Sequence, residues 1–458
     1  MIKVGANTQF GKEHGFDKIK NLKDFQQQVS IRDYEELKPW IEKTKRGEKD
    51  VLWKGCPIYW AKTSGTTSGS KYIPVTKASI NHHVDGAKNA LVAYINDTQN
   101  ADFVGGKMLY LSGNADLTDL NGILTGRLSG IVNHHIPTYL QRNQLPTMPV
   151  NLIADWETKL AAIVDESLKH DVRLVGGIPP WIQMYFRYLE ERTGKKAKDV
   201  FPNLQIIVHG GANFEPYKAS FVEAVGRPID FIELYPSSEG YIAGQHWQED
   251  RGLLLNTRAG LFFEFVPLDE INQSNPTRLG IGEVVIGKHY AIILSTNAGL
   301  WAYKLGDVVK FTSLKPYCIK MMGRTEQFLS AFGEHLIATE VEQCIAKVAD
   351  DFNCTVREFT VAPLMKNTFG RPCHQWLIEF EKNPENLHAF SQKLDEQLQT
   401  KNPYYKDLRQ GAILEPLQVK SLSPNTFDTY LTAIGKLGGQ NKISHLSNDR
   451  KLAEGLLK

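Results

Sequence analysis

The chain has 458 residues, of which 42% are hydrophobic and 23% charged, and its formal net charge is +2. This length exceeds one ordinary hydrophobic core, so we expect two or more domains, one of them large. The composition is ordinary for a globular protein. It offers neither the basic stripe with interleaved aromatics that nucleic-acid binders carry nor an apolar stretch able to span a bilayer, so we expect no nucleic-acid partner and no membrane.

The spacing of the cysteines indicates in which cellular compartment the protein is expected. No Cys-x-x-Cys pair occurs, which argues against a disulfide framework and against a zinc site of common spacing. The first residues, among them Lys3 and Lys12, lack the apolar segment of a signal peptide. We therefore expect a cytoplasmic protein, and the sequence leaves its oligomeric state open. The cysteines are Cys56, Cys318, Cys344, Cys354 and Cys373.

A run of hydroxyl residues and glycines at 63–69 follows the N-terminal helical region and leads into a strand predicted at 71–75. Glycine lets the backbone approach an anion, and hydroxyl groups add donors that can surround phosphate oxygens. Three residues separate Gly65 from Gly69, and Ser70 precedes the lysine, so the run does not fit the Walker pattern. The alternative is a solvated Ser/Gly linker, which the adjoining strand disfavours.

Helices and strands alternate from there to about residue 250, which predicts an α/β fold with a mostly parallel sheet. The first helix is expected to begin near Thr76 and to bury a face formed by Ile80, Val84, Ala87 and Leu91. Helices are predicted at 76–100, 151–170 and 181–191, and strands at 107–112, 172–175, 204–208 and 231–235.

Short strands separated by turn signals dominate from about residue 250, which predicts a β-rich subdomain that completes the large domain. A hinge is expected near residues 320–325, followed by a small α/β pattern. We therefore predict an α/β fold with a large N-terminal domain, residues 1–322, and a small C-terminal domain, residues 323–458. The strands of the subdomain are predicted at 253–255, 261–267, 282–287, 291–296 and 308–311; the small domain should hold helices 339–349 and 387–398 and strands 358–362 and 376–380.

A second polar cluster occupies residues 233–240. Tyr235 ends a predicted strand, and a sharp turn that carries Ser237, Ser238 and Glu239 follows it. Such a turn offers an aromatic face for a base, hydroxyl donors for a phosphate, and a carboxylate as a hard ligand for Mg²⁺. The alternative is a Pro/Ser turn in which Ser238 caps a helix.

Three further segments could take part in nucleotide binding. Asp307, at the entrance of a strand after a glycine, could accept hydrogen bonds from both ribose hydroxyls, although a plain Gly-Asp hairpin turn is the simpler interpretation. The run 209–212 could let a flat ring lie against backbone, or it could be an ordinary strand-to-loop turn. The late loop 435–442 carries Lys442, which could neutralise phosphate charge or belong to a solvated basic tail.

The order of these motifs resembles the acyl-adenylate-forming enzymes, and within them the Gretchen Hagen family of acyl-acid amido synthetases. The resemblance covers roughly residues 55–450 and rests on the hydroxyl loop, Tyr-x-Ser-Ser-Glu-Gly, Tyr-Lys-x-Gly-Asp, Gly-Arg and a late lysine. It implies the acyl-adenylate-forming fold, with a mobile C-terminal domain. Where the family usually has Tyr-Arg-x-Gly-Asp, this chain has Lys304; where the family often has Pro-Arg after the late lysine, this chain has Ile443-Ser-His445.

The resemblance also implies roles for individual residues, with ATP and Mg²⁺ as cofactors. Glu239 would help to place Mg²⁺, Lys442 would approach the α-phosphate, and Arg324 would lie at the hinge near the ribose-binding Asp307. By family position, the acyl pocket would draw on 121–136 and on Asn213 and Phe214; Arg127 could pair with an acidic substrate or be a surface charge. The triphosphate would be held by Ser64, Gly65, Thr66, Thr67 and Ser68, the α-phosphate would be contacted by Ser238, and adenine would be flanked by Gly210, Gly211, Ala212 and Tyr235.

The resulting functional prediction is a ligase. It would activate a carboxylic acid as an acyl-adenylate and transfer the acyl group to the amine of an amino acid, giving an amide, AMP and pyrophosphate. An acyl-CoA synthetase sharing the first step, and a non-catalytic nucleotide-binding protein, are the alternatives. Adjacent histidines point apart on a regular element, so His82-His83 and His134-His135 are not expected to chelate a metal.

Overall fold

The computed structural model describes residues 1–64, 70–112, 116–153, 156–211, 214–325, 328–329, 331–332, 334, 336–365, 372–410, 414–434, 443–447 and 449–458. Its residue contacts divide the chain into two units. The first comprises Met1–Pro267, Asn275–Leu305 and Lys310–Lys320, and the second comprises Leu268–Ser274, Gly306–Val309 and Met321–Lys458. A larger N-terminal part and a smaller C-terminal part are thus present, and the boundary at 322/323 stays a prediction.

Helices and strands are interspersed along the whole chain. The helices are α1 Ile2–Gly5, α2 Gln9–Glu13, α3 Leu22–Gln28, α4 Tyr34–Lys45, α5 Ile80–Thr98, α6 Leu128–Asn133, α7 Thr138–Gln141, α8 Met148–Asn151, α9 Trp156–Ser167, α10 Pro179–Thr193, α11 Ala197–Val200, α12 Glu215–Val225, α13 Ala338–Asp351, α14 Leu387–Lys401, α15 Pro403–Gln410, α16 Thr426–Ala433 and α17 Lys451–Leu456. The strands are β1 Tyr59–Ser64, β2 Ser70–Val75, β3 Lys107–Tyr110, β4 Thr118–Leu120, β5 Ile123–Gly126, β6 Gln144–Leu145, β7 Val172–Gly177, β8 Ile206–Gly210, β9 Asp230–Ser237, β10 Gly240–Gly244, β11 Leu253–Leu255, β12 Leu261–Pro267, β13 Leu279–Gly280, β14 His289–Thr296, β15 Tyr303–Leu314, β16 Tyr317–Arg324, β17 Phe328–Leu329, β18 Leu336–Ile337, β19 Thr355–Leu364, β20 Cys373–Lys382 and β21 Gln418–Leu422.

A twelve-stranded sheet forms the centre of the fold, in the order β13-β12-β14-β15-β16-β11-β10-β9-β8-β7-β3-β6. The block β6-β3-β7-β8-β9 is parallel, as the alternation of helices and strands predicts. From β9 to β10 and from β10 to β11 the pairing is antiparallel. The parallel block therefore ends at β9, which also carries the polar turn singled out in the sequence.

Helices cover both faces of the parallel block, because successive side chains of a strand point to opposite faces. On β7, Val175 packs into the core shared with α9, α10 and α12, whereas Leu174 packs into the core beneath α5. On β8, Ile207 packs into the first of these cores and Ile206 into the core beneath α5. The strands at the candidate site are thus held rigidly from both sides.

Helix α5 confirms the helix predicted at 76–100 but buries a different face. Its fully buried residues are Ile80, His83, Gly86, Ala90 and Tyr94. Of the predicted face, Ile80 is buried, Leu91 is half-buried against the core, and Val84 and Ala87 are half-buried. The reason for the different face is a close approach to β10: a Cβ at Gly86 would lie 2.3 Å from the ring of Tyr241. The helix begins after Ser79 rather than at Thr76, whose backbone N–H donates to the Ser79 hydroxyl in the preceding turn.

The strands predicted at 253–255 and 261–267 are confirmed. The strands predicted at 291–296 and 308–311 are also present but are longer, at 289–296 and 303–314. The strand predicted at 282–287 was wrong. A 3₁₀ turn occupies Ile281–Glu283, and Val285 and Ile286 are exposed.

The second unit contains the three-stranded sheet β19-β20-β21, with β19 and β20 antiparallel and β20 and β21 parallel. One face packs on α13, α14 and α15, and the other packs on α16 and α17. The predicted elements of the small domain are confirmed here, with bounds shifted by a few residues. Both faces are covered, so this small sheet has its own hydrophobic core.

Candidate active site

The hydroxyl-rich run connects two paired strands. β1 and β2 form an antiparallel ladder in which Ser64 lies opposite Ser70 and Thr63 opposite Lys71. Paired strands therefore flank the run on both sides, as the strand predicted at 71–75 suggests. Lys71 places its Nζ 5.7 Å from the ring centroid of Tyr34. The predicted site residues Gly65, Thr66, Thr67 and Ser68 lie outside the described residues.

Gly210 and Gly211 follow the buried strand β8 at its carboxyl end. Gly210 pairs with Leu234 of β9, and a Cβ on Gly210 would lie 2.2 Å from the Leu234 carbonyl oxygen. Only glycine permits this approach of the two strands. Gly211 is exposed and has φ +73°, a conformation that also favours glycine. Ala212 lies outside the part of the chain that the structure describes.

The carboxyl end of β9 turns sharply into β10. Ser237 pairs with Gly240, so Ser238 and Glu239 form a two-residue hairpin turn. The interpretation of Ser238 as a helix cap was wrong, because the chain continues into a strand. Tyr235 is 6% exposed, while Ser238 and Glu239 are half-buried. The parallel pairing of β8 with β9 brings this turn and the two glycines to the same edge of the sheet.

Ser237 fixes the Glu239 side chain. Its hydroxyl donates to the Glu239 carboxylate, and it also accepts the backbone N–H of Glu239 at 3.3 Å. A carboxylate is a hard oxygen ligand of the kind that a divalent cation prefers. The sequence predicted Ser237 and Ser238 alike as phosphate donors and did not predict the contact of Ser237 with Glu239, because neighbouring serines look alike until the strand register is known.

His209 lies in β8 immediately before the two glycines. It is 3% exposed, its ring stacks on Phe214 at 3.7 Å between centroids, and its Nδ1 has no hydrogen-bond partner among the described residues. Burial lowers the pKa of His209 to about 3. The imidazole is therefore neutral near pH 7 and acts as a packing group beneath this edge of the sheet.

Asp307 and Arg324 are neighbours in the second unit. Arg324 Nε lies 3.2 Å from Asp307 Oδ1; the aspartate side chain is 10% exposed and that of Arg324 is 49% exposed. Gly306 has φ +87°, and its carbonyl accepts the Thr325 N–H at 2.8 Å. Asp307 lies inside the strand Tyr303–Leu314. The expectation of a strand entrance and the alternative of a hairpin turn were therefore both wrong.

The remaining candidates are distributed as follows. Arg127 is exposed directly before α6, and Asn213 and Lys442 lie outside the described residues. His135 Nε2 is 3.0 Å from the Tyr59 hydroxyl.

Within the described ranges, no cluster of three or more His, Cys, Asp or Glu side chains is placed to hold a metal ion. No described helix is long and apolar enough to cross a membrane.

Comparison with protein families gives three matches from one family. The GH3 family N-terminal domain matches residues 1–161, the GH3 family central domain matches residues 254–324, and the GH3 family C-terminal domain matches residues 339–451. They follow one another in order along the chain and together cover most of it.

Curated relatives resemble parts of the chain. A GH3 domain-containing protein of Homo sapiens is 25% identical over 264 residues, which is 54% of this chain and 48% of that protein. A jasmonoyl--L-amino acid synthetase of Nicotiana attenuata is 36% identical over 119 residues, 24% of this chain and 20% of that enzyme. The alignments therefore span less than half the length of either relative.

Solved structures share the fold. A GH3.15 acyl acid amido synthetase aligns with a TM-score of 0.77 at 16% identity, covering 100% of this chain and 91% of that one. A 2-hydroxyisobutyryl-CoA ligase in the postadenylation state aligns with a TM-score of 0.60 at 13% identity, covering 99% of this chain and 88% of that one. The fold expected from the motif order is thereby confirmed.

Proposed function

Since the chain belongs to the GH3 family, we propose that it activates a carboxylic acid with ATP and transfers the acyl group to the amine of an amino acid. The observation that carries this proposal is the edge of the parallel block, which carries both the glycines Gly210 and Gly211 and the hairpin turn of Ser238 and Glu239. An exposed glycine and half-buried hydroxyl and carboxylate groups thus share one edge of a sheet that is packed on both faces. Relatives named as amino acid or acyl acid amido synthetases support the chemistry, namely amide synthesis from an acid and an amino acid.

The proposed reaction has two steps. A carboxylate oxygen attacks the α-phosphorus of ATP, forming an acyl-adenylate and releasing pyrophosphate. The amine of the amino acid then attacks the acyl carbon, AMP leaves, and the amine gives up a proton to solvent. The first step converts an unreactive carboxylate into a mixed anhydride with a good leaving group.

The residues present fit Mg²⁺ and ATP. Mg²⁺ usually binds one or two protein carboxylates and completes its coordination with substrate phosphates and water. Glu239, half-buried and fixed by Ser237, meets that requirement. When bound, the ion supplies positive charge to the phosphate oxygens. We propose Glu239 as this ligand and Ser238 as the donor to the α-phosphate.

The other roles follow from the motif order. Lys442 would stabilise charge on the α-phosphate, and Asp307, oriented by Arg324, would accept hydrogen bonds from the ribose. The exposed backbone at Gly211 leaves room for a flat ring. We also propose a domain boundary at 322/323 and a cytoplasmic location, which suits five free thiols. The triphosphate would be bound by Ser64, Gly65, Thr66, Thr67 and Ser68, and adenine would be flanked by Gly210, Gly211, Ala212 and Tyr235.

Product analysis tests this function. The full chain is incubated with ATP, Mg²⁺ and a panel of carboxylic acids, first with a mixture of amino acids and then with CoA. We expect the mass of an acid–amino acid amide, together with AMP. A thioester formed only with CoA would replace the proposal with an acyl-CoA synthetase. Absence of AMP production with every acid would favour a non-catalytic nucleotide-binding protein.

A further inference from the structure

His445 lies between two carboxylates of the second unit. Its Nδ1 is 2.6 Å from Oε1 of Glu342 on α13, and its Nε2 is 3.0 Å from Oε1 of Glu358 on β19. Ionised carboxylates only accept hydrogen bonds, so both ring nitrogens must donate. Between two ionised carboxylates the ring is therefore an imidazolium, and it also stacks on Phe359 with 4.3 Å between centroids.

The backbone around His445 is attached to the same strand. The Val361 N–H donates to the His445 carbonyl at 2.9 Å, and the Ser447 N–H donates to the Val361 carbonyl at 3.0 Å. The Thr360 hydroxyl donates to the Ser444 carbonyl at 2.7 Å. Leu446 is fully buried in the core of the second unit. Residues 443–447 are therefore fastened to the edge of β19 by backbone, hydroxyl and apolar contacts.

The charges in this cluster make His445 more than a packing group. Glu342 and Glu358 contact the two ring nitrogens of His445, and the side chains of these glutamates are only 13% and 31% exposed. Without a cation between them, two partly desolvated carboxylates would repel each other and separate α13 from β19. The charged groups that influence the His445 imidazole are these two glutamates, one from each element.

We propose that protonated His445 is a positioning residue for adenylation: by joining Glu342 to Glu358 it fixes the segment 443–447 on β19 and so anchors Ile443, the residue that follows Lys442. Lys442 directly precedes this segment in the sequence. The inference rests on the proposed function, since the position of Lys442 matters only if that lysine serves the α-phosphate.

The cluster gives the attachment a defined pH dependence. Burial disfavours the imidazolium, but the hydrogen bonds and charges of Glu342 and Glu358 outweigh it and raise the pKa of His445 to about 9. An unfolded histidine titrates near pH 6.5. The stabilisation is therefore fully present below about pH 6.5 and is lost as the pH rises through about 9.

The test compares His445→Gln and His445→Arg with the full-length wild type. Gln keeps a donor but has no charge, whereas Arg keeps the charge at all accessible pH values. Carboxylate-dependent exchange of labelled pyrophosphate into ATP reports the first step, and hydrogen–deuterium exchange of the peptide containing Ser447 reports the attachment. Glu358→Gln is a second, milder variant in case His445→Gln does not fold, and His388→Gln, at an exposed histidine of the same unit, is the matched control.

We expect His445→Gln to lower kcat of the exchange by about tenfold or more, with KM for ATP little changed, because small misplacements of a catalytic group are costly. Deuterium uptake at Ser447 should rise in the same variant. His445→Arg should restore the rate at neutral pH and remove a decline that the wild type shows near pH 9. Wild-type kcat in both His445→Gln and Glu358→Gln, or unchanged deuterium uptake, would overturn the inference. A wild type that shows no exchange with any acid while Ser447 loses protection in His445→Gln would reject the proposed function and leave the attachment standing.

Discussion

The Nε atom of Arg324 lies 3.2 Å from Oδ1 of Asp307, a residue seventeen positions earlier in the sequence, and the neighbouring strands β15 and β16 bring the two side chains together. The carboxylate that we propose for ribose binding is thus oriented before any nucleotide arrives. Because the arginine is half exposed, it can remain hydrated if the aspartate charge is removed.

Asp307→Asn should therefore weaken nucleotide binding without unfolding the protein. Hydrogen bonds to a charged group contribute about 1.5–3 kcal/mol, so KM for ATP should rise by roughly 10- to 100-fold. Steady-state titration with ATP measures the change. Asp250→Asn, at an exposed aspartate paired with Lys320, is the control and should behave as wild type. An unchanged KM in Asp307→Asn would remove the residue from the ribose site.

Glu239→Gln should slow adenylation by about 10²–10³-fold, the usual cost of losing one electrostatic stabiliser of a transition state. The amide still accepts the Ser237 hydrogen bond, so the loss isolates the charge. Half-maximal activity should also require more Mg²⁺. Ser237→Ala should cost only about 0.5–1.5 kcal/mol, because it frees the carboxylate without removing it. Glu249→Gln, at an exposed carboxylate, is the matched control; Mg²⁺ dependence identical in both glutamine variants would refute the ligand role.

Lys442→Ala should reduce pyrophosphate exchange by about 10²–10³-fold, because one cation fewer would face the α-phosphate. ATP binding, measured by calorimetry, should stay close to that of wild type. Lys451→Ala removes a lysine whose side chain is 91% exposed and provides the comparison. An unaltered exchange rate in Lys442→Ala would reject its assigned role.

Gly210→Ala should disturb the edge of the sheet. Its new Cβ would lie 2.2 Å from the Leu234 carbonyl, and overpacking of this kind costs about 1–3 kcal/mol. We expect a lower midpoint of urea unfolding together with a loss of activity. In Gly282→Ala, the new methyl group would have no described neighbouring atom within 4 Å. This control variant should keep the urea midpoint and the activity of the wild type. Equal stability of the two variants would contradict the close approach of β8 and β9.

Removing one partner of a buried ion pair in the first unit should destabilise the protein strongly. Arg278 binds both carboxylate oxygens of Glu264, at 3.0 and 2.7 Å, and the two side chains are 8% and 1% exposed. Removing one partner of a buried pair usually costs about 3–5 kcal/mol. Glu264→Gln should therefore lower the urea midpoint far more than Glu35→Gln, whose exposed pair with Lys38 should contribute at most about 1 kcal/mol. Similar midpoints for both variants would contradict this assignment.

Local sequence patterns predicted the regular elements well where burial is uniform. The strand at 172–175 and the helix at 339–349 are examples, because each repeats apolar residues with the period of its own element. The apolar run that contains Val285 and Ile286 misled the prediction at 282–287, since no local signal reveals that the segment stays unpaired and exposed. The buried face of α5 likewise depends on Tyr241, which lies far away in the sequence.

At the candidate site, too, the sequence did not predict the contacts that depend on strand pairing or on residues far apart in the chain. Motif order predicted Glu239 and Asp307 as site residues, and that prediction stays untested; the contact of Ser237 with Glu239 depends on the register of β9 with β10. His445 was noticed only as a departure from a family pattern. Its two partners lie 103 and 87 positions away, so a single sequence cannot pair them.

Acid-dependent exchange of labelled pyrophosphate into ATP is the most direct test of the proposed function, because it reports formation of the mixed anhydride irrespective of the acceptor. With the full chain and a broad acid panel, we predict exchange that requires both an acid and Mg²⁺ and that collapses in Glu239→Gln. A folded wild type that binds ATP yet exchanges no label with any acid would contradict it.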